Sequence, residues 1–361
     1  MEDKRIRVAI THGDTNGVGY ELIFKTFAEP EMLELCTPII YGSPKIAAYH
    51  RKALDIEGNF SIINNAEDAQ EGRVNLLTCF DNEVKVDLGV PTPESGKAAI
   101  DALDRALTDY RKGLFDILVT APVFSQNITI EGTPFTGMRH YLDTCVGEGK
   151  KSLPIYNTDN LRIAILADDI AMKDVSGKLT AEALTDTITL LHRTLCRDLR
   201  IYNPRIAVLA FNADANGTEE NDIIRPVVSK LAEQKVNIFG PYQADRFFGE
   251  NEYEAFDAIL AIYHDQGILP LKTLTDEQPQ IIFAGLPIVC TTVYGDPDFA
   301  NAGKDKADEN AFRRAIYSGI DIARNRVIYD EPFENPLPKL FHEKRDESEK
   351  VRFSIPKKKE E

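Results

Sequence analysis

The segment IRVAITHGDTNGVGYELIFKTF, residues 6–27, contains the pattern that decides the fold class. An apolar run at residues 6–10 predicts a buried strand, and the periodicity of residues 21–27 predicts a helix. The loop between them, residues 13–19, is rich in glycine. A strand that leads through such a loop into a helix is the first half of a βαβ unit.

The same order of strand and helix recurs along the chain. Further strands are predicted at residues 37–41, 117–120, 162–167, 205–211, 258–263 and 281–284, and helices at residues 44–54, 96–111, 179–195 and 221–234. Strands that alternate with helices are typical of a largely parallel sheet covered by helices. The sequence therefore predicts the α/β fold class.

The length of the chain indicates its number of domains, and its charge excludes some classes of binding partner. The chain has 361 residues, and 42 basic against 58 acidic side chains give a net charge of −16. This length favours two domains, because single cores stop growing at about 250–300 residues. The acidity argues against nucleic-acid and polybasic membrane-surface binding, which need clustered positive charge. No apolar run approaches the ~18 residues of a membrane span, so we expect neither nucleic-acid nor membrane partners.

The five cysteines are scattered and none belongs to a C-x-x-C pair. Neither a disulfide framework nor a thiolate zinc site is therefore indicated. Because the N-terminus also lacks a signal-peptide pattern, we expect a cytoplasmic protein.

Residues 331–361 hold eight basic and eight acidic side chains with little periodicity. We expect a mobile tail there, either a solvated extension or a segment that docks a partner.

Two strand ends carry candidate ligand contacts. The loop at residues 13–19 could present backbone N–H groups to an anion, although its spacing matches neither standard nucleotide motif. Two interpretations of this loop stay open: it packs as a tight turn, or it contacts a ligand. The string YHDQG, residues 263–267, follows a predicted strand and places an imidazole at the carboxyl edge of the sheet, where open α/β sheets bind ligands. Lys272, a few residues on, is either a phosphate contact or a solvated lysine.

Read together, several short strings resemble the 4-hydroxythreonine-4-phosphate dehydrogenase family, the NAD-dependent enzymes of vitamin B6 biosynthesis. In order they are Ile10-Thr11 with Gly13-Asp14, Gly17, Gly19 and Glu21; Val119-Thr120-Ala121-Pro122; Phe135 with Gly137; Gly240-Pro241 with Ala244-Asp245; the YHDQG string through Lys272; Gly285-Leu286-Pro287; and Ala302-Gly303-Lys304. The matches span about residues 5–330. The resemblance implies a fold like that of isocitrate and isopropylmalate dehydrogenases, with two α/β domains and a cleft between them.

The expected domains are residues 1–122 with about 300–330, and residues 123–299, which would carry the metal and substrate. The resemblance implies a homodimer whose active sites take residues from both subunits. It also implies oxidation of a small phosphorylated hydroxy amino acid by hydride transfer to NAD or NADP, after which the β-keto acid loses carbon dioxide. In the family, a divalent metal held by three histidines polarises the oxygen that becomes the ketone.

Residue by residue, this chain departs from that metal site. Only His264 remains of the three histidines. Asp214 takes the second position, and the third falls at Ile170, directly after Asp168 and Asp169. From the resemblance we expect His264, Asp214 and Asp169 to form an oxygen-rich site that favours Mg²⁺ or Mn²⁺ over Zn²⁺.

The positions that bind the substrate in the family differ in this chain as well. Met138 and Arg139 replace a His and a Thr at the family's phosphate position. Ile281 and Cys290 replace an Asn and an Arg. The expected roles are substrate binding by Arg139, His140 and Lys272, catalysis by Lys272 and Asp245, and cofactor binding by Gly13, Asp14 and Gly303. Three hypotheses stay open: a dehydrogenase of the family's reaction, a dehydrogenase with a changed substrate, and an eroded paralogue with a binding or regulatory role.

Overall fold

The computed structural model describes residues 5–56, 60–80 and 84–334. Within these ranges the strands are β1 (Ile6–Thr11), β2 (Cys36–Gly42), β3 (Ser61–Ile63), β4 (Asn75–Thr78), β5 (Ile117–Thr120), β6 (Thr129–Ile130), β7 (Thr133–Pro134), β8 (Leu153–Asn157), β9 (Arg162–Ala167), β10 (Ile206–Leu209), β11 (Ile238–Tyr242), β12 (Ala258–Tyr263), β13 (Gln280–Ala284) and β14 (Val289–Val293). The helices are α1 (Gly19–Thr26), α2 (Met32–Leu35), α3 (Pro44–Ala53), α4 (Pro93–Tyr110), α5 (Met138–Val146), α6 (Val175–Lys178), α7 (Ala181–Arg197), α8 (Arg225–Glu233), α9 (Ala244–Gly249), α10 (His264–Leu274) and α11 (Asn310–Glu334).

Twelve of these strands form one sheet in the order β11-β10-β12-β9-β8-β13-β14-β5-β1-β2-β4-β3. The strands from β11 to β9 and from β14 to β3 pair in parallel. Between these two parallel halves, β8 and β13 pair antiparallel with each other and with their outer neighbours. The sheet is therefore largely parallel and the α/β fold class is confirmed.

Local sequence explains most elements. Strands inside the sheet are buried on both faces, as the fully buried β2, β5 and β10 show, which matches their continuous apolar runs. Helix α4 starts at a capping box in which Thr92 and Ser95 exchange hydrogen bonds between side chain and backbone. The Thr180 hydroxyl accepts a hydrogen bond from the Ala183 N–H at the start of α7. These caps satisfy backbone N–H groups at the starts of two of the long helices that cover the sheet.

The predicted tail begins inside a helix. Residues 331–334 continue α11, and Asp330 in the preceding turn forms an ion pair with Arg197 on α7, which ties this end of the helix to the fold. Residues 335–361 of the predicted tail lie outside the described residues.

The sheet runs without a break across the expected domain boundaries, which stay predictions. All five cysteines are free thiols, and no helix among the described residues is long and apolar enough to cross a bilayer.

Candidate functional site

A cleft of about 560 Å³ opens where the two parallel halves of the sheet meet. The segments after β5, β9, β12 and β14 border it, and side chains of β8 and β13 line its wall. The start of α5 and two residues of α10, His264 and Lys272, complete it. Loops and helix N-termini converge at such an edge of an α/β sheet, where ligands bind. The cleft is therefore the candidate active site.

Four of the ten predicted site residues line this cleft: Arg139, Asp169, His264 and Lys272. The described wall does not include the other six, which are Gly13, Asp14, His140, Asp214, Asp245 and Gly303. Asp214 is exposed after β10, and Asp245 is exposed on α9 after β11, on the outermost strands of that half of the sheet. The roles predicted for these six residues stay predictions.

In the YHDQG string, His264 lines the cleft, and Gln266 and Gly267 pack against the sheet. His264 is the first residue of α10 and lines the cleft, with its side chain 41% exposed and its Nδ1 3.1 Å from Asp265 Oδ1. Gln266 lies beneath it, where its Nε2 donates to the Ala210 carbonyl at 2.6 Å and its Oε1 accepts from the Ile262 N–H at 2.8 Å. A Cβ on Gly267 would lie 2.8 Å from an Ile163 methyl. Two of the string's residues thus attach α10 to the sheet, and His264 is left to face ligands.

Arg139 lies in the first turn of α5 and is paired with Asp169. Its Nε and Nη2 donate to Asp169 Oδ2 at 2.8 and 2.7 Å. Gly137, just before the helix, has a φ of +112°, and the space beside its Cα is open. The helix N-terminus and the guanidinium thus place positive potential at the same wall of the cleft. Because the carboxylate side chain of Asp169 is 54% exposed, an anionic ligand can exchange with it on Arg139.

Two cleft residues had no prediction from the sequence. The Tyr156 hydroxyl donates a 2.6 Å hydrogen bond to Asp168 Oδ2, and both residues line the cleft. Burial raises the pKa of Asp168, and the hydrogen bond from Tyr156 opposes this shift. Its Oδ1 is buried and has no partner among the described residues. The position of Asp168 at a strand end was a usable signal, whereas Tyr156 lies on β8, a strand that was not predicted.

Lys272 reaches the cleft from the last turns of α10. Its Nζ lies 4.8 Å from the centre of the Tyr294 ring, within the range of a cation–π contact. Tyr294 comes directly after β14 and packs edge-on against Tyr156, with ring centres 5.3 Å apart. The cleft therefore holds a lysine ammonium on an aromatic wall.

The glycine-rich loop after β1 uses its backbone donors within the fold. The N–H groups of Asp14 and Val18 donate to the Pro122 and Pro297 carbonyls, and that of Gly17 donates to the Asp14 carbonyl. A Cβ on Gly19 would lie 1.9 Å from the His12 carbonyl oxygen, so this glycine permits a close backbone approach. These contacts support the tight-turn interpretation of the loop.

The carboxylate of Asp14 is also occupied. Its oxygens accept hydrogen bonds from the Asn16 N–H, the Ser95 hydroxyl and the Asn127 amide at 2.8–3.0 Å. Burial raises the pKa of Asp14, and these three hydrogen bonds oppose the shift. The side chain therefore joins the loop to the start of α4, and a contact of Asp14 with a cofactor stays a prediction.

The glycine-rich loop, for which the resemblance implies cofactor contacts, adjoins the loop at residues 294–297. Gly17 approaches Pro297 so closely that a Cβ would lie 2.5 Å from the proline Cβ. Gly295, with a φ of +129°, lines the cleft next to this contact without a side chain of its own, and Asp296 adds a carboxylate. A nicotinamide ring bound at this stretch of wall would lie against the loop from Tyr294 to Pro297.

A metal centre does not fit the described residues of one chain. No three His, Cys, Asp or Glu side chains in the described part of the chain lie together as a metal would require. His264 and Asp169 share the cleft, but Asp169 is engaged by Arg139 and Asp214 lies outside. We therefore assign no step of the chemistry to a metal held by this chain alone.

Comparisons with known proteins agree with this architecture. Residues 34–319 match the family model "Pyridoxal phosphate biosynthetic protein PdxA". The chain is 46% identical to a 4-hydroxythreonine-4-phosphate dehydrogenase of Bacteroides thetaiotaomicron over 98% of both chains. It is 30% identical to one from Sulfurihydrogenibium sp. over 89% of this chain and 99% of that protein. A crystal structure of the 4-hydroxythreonine-4-phosphate dehydrogenase of Burkholderia phymatum superimposes with a TM-score of 0.72 at 26% identity, covering 89% of this chain and 99% of the other.

Proposed function

Because the chain belongs to the PdxA family of pyridoxal phosphate biosynthetic proteins, we propose that it oxidises and decarboxylates a small phosphorylated hydroxy amino acid. Its homology to 4-hydroxythreonine-4-phosphate dehydrogenases extends over nearly the whole chain, which favours an enzyme over an eroded paralogue. The observation that carries the proposal is the convergence of Arg139, His264 and Lys272 in one cleft at the carboxyl edge of the sheet.

The phosphate group of the substrate meets Arg139 and the N-terminus of α5. In a protein of net charge −16, an anion site needs local positive charge, and Arg139 supplies it together with the helix dipole. Asp169 occupies the guanidinium in the free protein. Phosphate replaces it, because a phosphate carries more charge and more acceptor oxygens than a carboxylate.

The chemistry consists of two electron movements. In the oxidation, the carbon that bears the hydroxyl loses a hydride and the hydroxyl loses a proton, which leaves a ketone. A nicotinamide cofactor, NAD or NADP, supplies the hydride acceptor when it is bound along the Tyr294–Pro297 loop. In the second movement the carboxylate leaves as carbon dioxide and its electron pair reaches the ketone oxygen. The Lys272 ammonium stabilises the negative charge that forms there, and a proton then adds to the carbon that lost carbon dioxide, which restores the ketone.

A second copy of this chain completes the site. Three residues for which the family implies roles, His140, Asp214 and Asp245, lie outside the cleft of their own chain. Exposed residues that lie off their own cleft are available to a partner's cleft. We therefore infer a homodimer in which Asp245 acts in the neighbouring subunit.

Replacement of Lys272 by methionine tests the function directly. We expect the wild type to form reduced cofactor from 4-phosphohydroxythreonine with NAD or NADP. In Lys272→Met we expect kcat/KM to fall about 10- to 100-fold, since a charge-assisted contact contributes about 1.5–3 kcal/mol. The measurement is steady-state absorbance of the reduced cofactor, with both cofactors assayed in parallel.

Lys230→Met is the matched control, because Lys230 is an exposed residue of α8 that does not line the cleft. It should keep wild-type kcat/KM. If the wild type forms no reduced cofactor with either nucleotide and added Mg²⁺ or Mn²⁺, the family's reaction is excluded for this chain, and the changed-substrate and non-catalytic hypotheses take its place.

The altered metal site is a separate proposal that rests on the dimer. We expect the assembled protein to bind Mn²⁺ in preference to Zn²⁺, because carboxylates are harder ligands than imidazoles. Asp214→Ala combined with His264→Ala should abolish this binding, measured by calorimetric titration. Asp186→Ala is the control, because Asp186 is an exposed carboxylate of α7 that does not line the cleft. A wild-type protein that binds no Mn²⁺ at millimolar concentration would exclude the site.

A further inference from the structure

The ammonium of Lys272 is held by an aromatic ring and by no carboxylate among the described residues. Its Nζ lies 4.8 Å from the centre of the Tyr294 ring, and Lys272 is in no ion pair within the described part of the chain. A lysine side chain has four rotatable bonds and loses much rotamer freedom when it is held in one place. The ring is therefore the contact that determines where this charge lies.

Tyr294 is itself anchored on three sides. Its backbone N–H donates to the Pro279 carbonyl at 2.9 Å, and its carbonyl accepts from Gln278 Nε2 at 2.9 Å. The edge-on contact with Tyr156, at an interplanar angle of 82°, restrains the ring. Tyr156 is restrained in turn by its 2.6 Å hydrogen bond to Asp168. The lysine thus rests on a ring that the fold holds through its backbone and its edge.

We propose that Tyr294 is a positioning residue that holds the Lys272 ammonium at the cleft wall, where it meets the developing negative charge of the substrate. The proposal rests on the function proposed above and adds a residue to it. A cation over a ring face is attracted by the ring quadrupole, and this attraction survives when the tyrosine hydroxyl is removed. The ring, not the hydroxyl, is the part of Tyr294 that acts.

The first test does not depend on activity. The wild type, Tyr294→Phe and Tyr294→Leu are labelled with an amine-specific acylating reagent, and the modification rate of Lys272 is measured by peptide mass spectrometry. We expect Tyr294→Leu to label Lys272 about two- to fivefold faster, the range of an exposed cation–π contact, and Tyr294→Phe to match the wild type. Tyr202→Leu is the control, because Tyr202 is 98% exposed. An unchanged rate in Tyr294→Leu would overturn the proposal.

The second test is a double-mutant cycle in the dehydrogenase assay. Tyr294→Leu should lower kcat/KM about two- to fivefold in the wild-type background and leave it unchanged in Lys272→Met, since the ring acts through the lysine. Tyr294→Phe should keep wild-type activity. Independent, additive losses would contradict a positioning role. If no variant turns over, the proposed function fails, and the labelling rates still decide whether Tyr294 positions Lys272.

Discussion

Replacing Arg326 by methionine is expected to lower the free energy of unfolding by about 3–5 kcal/mol, the cost of removing one partner of a buried ion pair. Arg326 on α11 is 9% exposed. Its Nε and Nη2 donate to the two oxygens of Asp198 at 2.9 and 2.8 Å, and its Nη1 donates to the Leu286 and Pro287 carbonyls. The substitution leaves a carboxylate that is 2% exposed and two carbonyls without this donor. Chemical denaturation measures the loss.

The same helix offers a matched control. Arg324→Met changes an exposed arginine two residues earlier and should alter the free energy of unfolding by less than about 0.5 kcal/mol. Combining Arg326→Met with Asp198→Leu should cost less than the sum of the two single changes, because neither charge is then left unpaired. A loss below about 1 kcal/mol in Arg326→Met would show that Asp198 finds enough compensation in Arg197, its other ion-pair partner.

Strands and helices were predictable where local pattern decides them. Strands β5, β9 and β12 have the predicted bounds, and α7 lies within two residues of the helix predicted at residues 179–195. The antiparallel pairing of β8 and β13 was not predicted, although residues 281–284 were expected to form a strand. Strand direction depends on which distant segments pair, and an apolar run alone does not carry that information.

The residues of the candidate site were likewise predictable only where a local sequence pattern identifies them. His264 and Arg139 were found because short strings around them match a family pattern and because the carboxyl ends of strands gather ligand contacts. Tyr156 and Tyr294 were missed because their contacts join β8 to the segments after β9 and β14. Asp14 was expected to bind a cofactor, yet its partners Ser95 and Asn127 lie about 80 and 110 residues away in sequence. Such contacts exist only in the folded chain.

Acidification is expected to destabilise the protein through a buried histidine beneath the glycine-rich loop. His12 is fully buried and stacks on Tyr20, and its Nδ1 donates to the Gly13 carbonyl at 2.7 Å. Its Nε2 has no partner among the described residues, so a second proton there would not be hydrogen-bonded. Burial lowers the pKa of His12 from 6.5 to about 4.

The direction of this pH dependence follows from the number of protons that the folded and unfolded states bind. Between pH 6.5 and about 4 the unfolded chain protonates this histidine and the folded chain does not, so stability falls as the pH decreases. The contribution is fully present above pH 6.5, and its total loss near pH 4 is about 3 kcal/mol. His50, whose pKa burial also lowers, adds a slope of the same sign.

His12→Phe keeps a ring to stack on Tyr20 and removes the titrating group. It should reduce the slope of unfolding free energy against pH by about 1.2 kcal/mol per pH unit between pH 5 and 6, measured by urea denaturation at several pH values. His140→Phe, which removes an exposed imidazole, is the matched control. An equal slope in His12→Phe and the wild type would mean that the folded protein protonates His12 as readily as the unfolded chain does, against its burial beneath the loop.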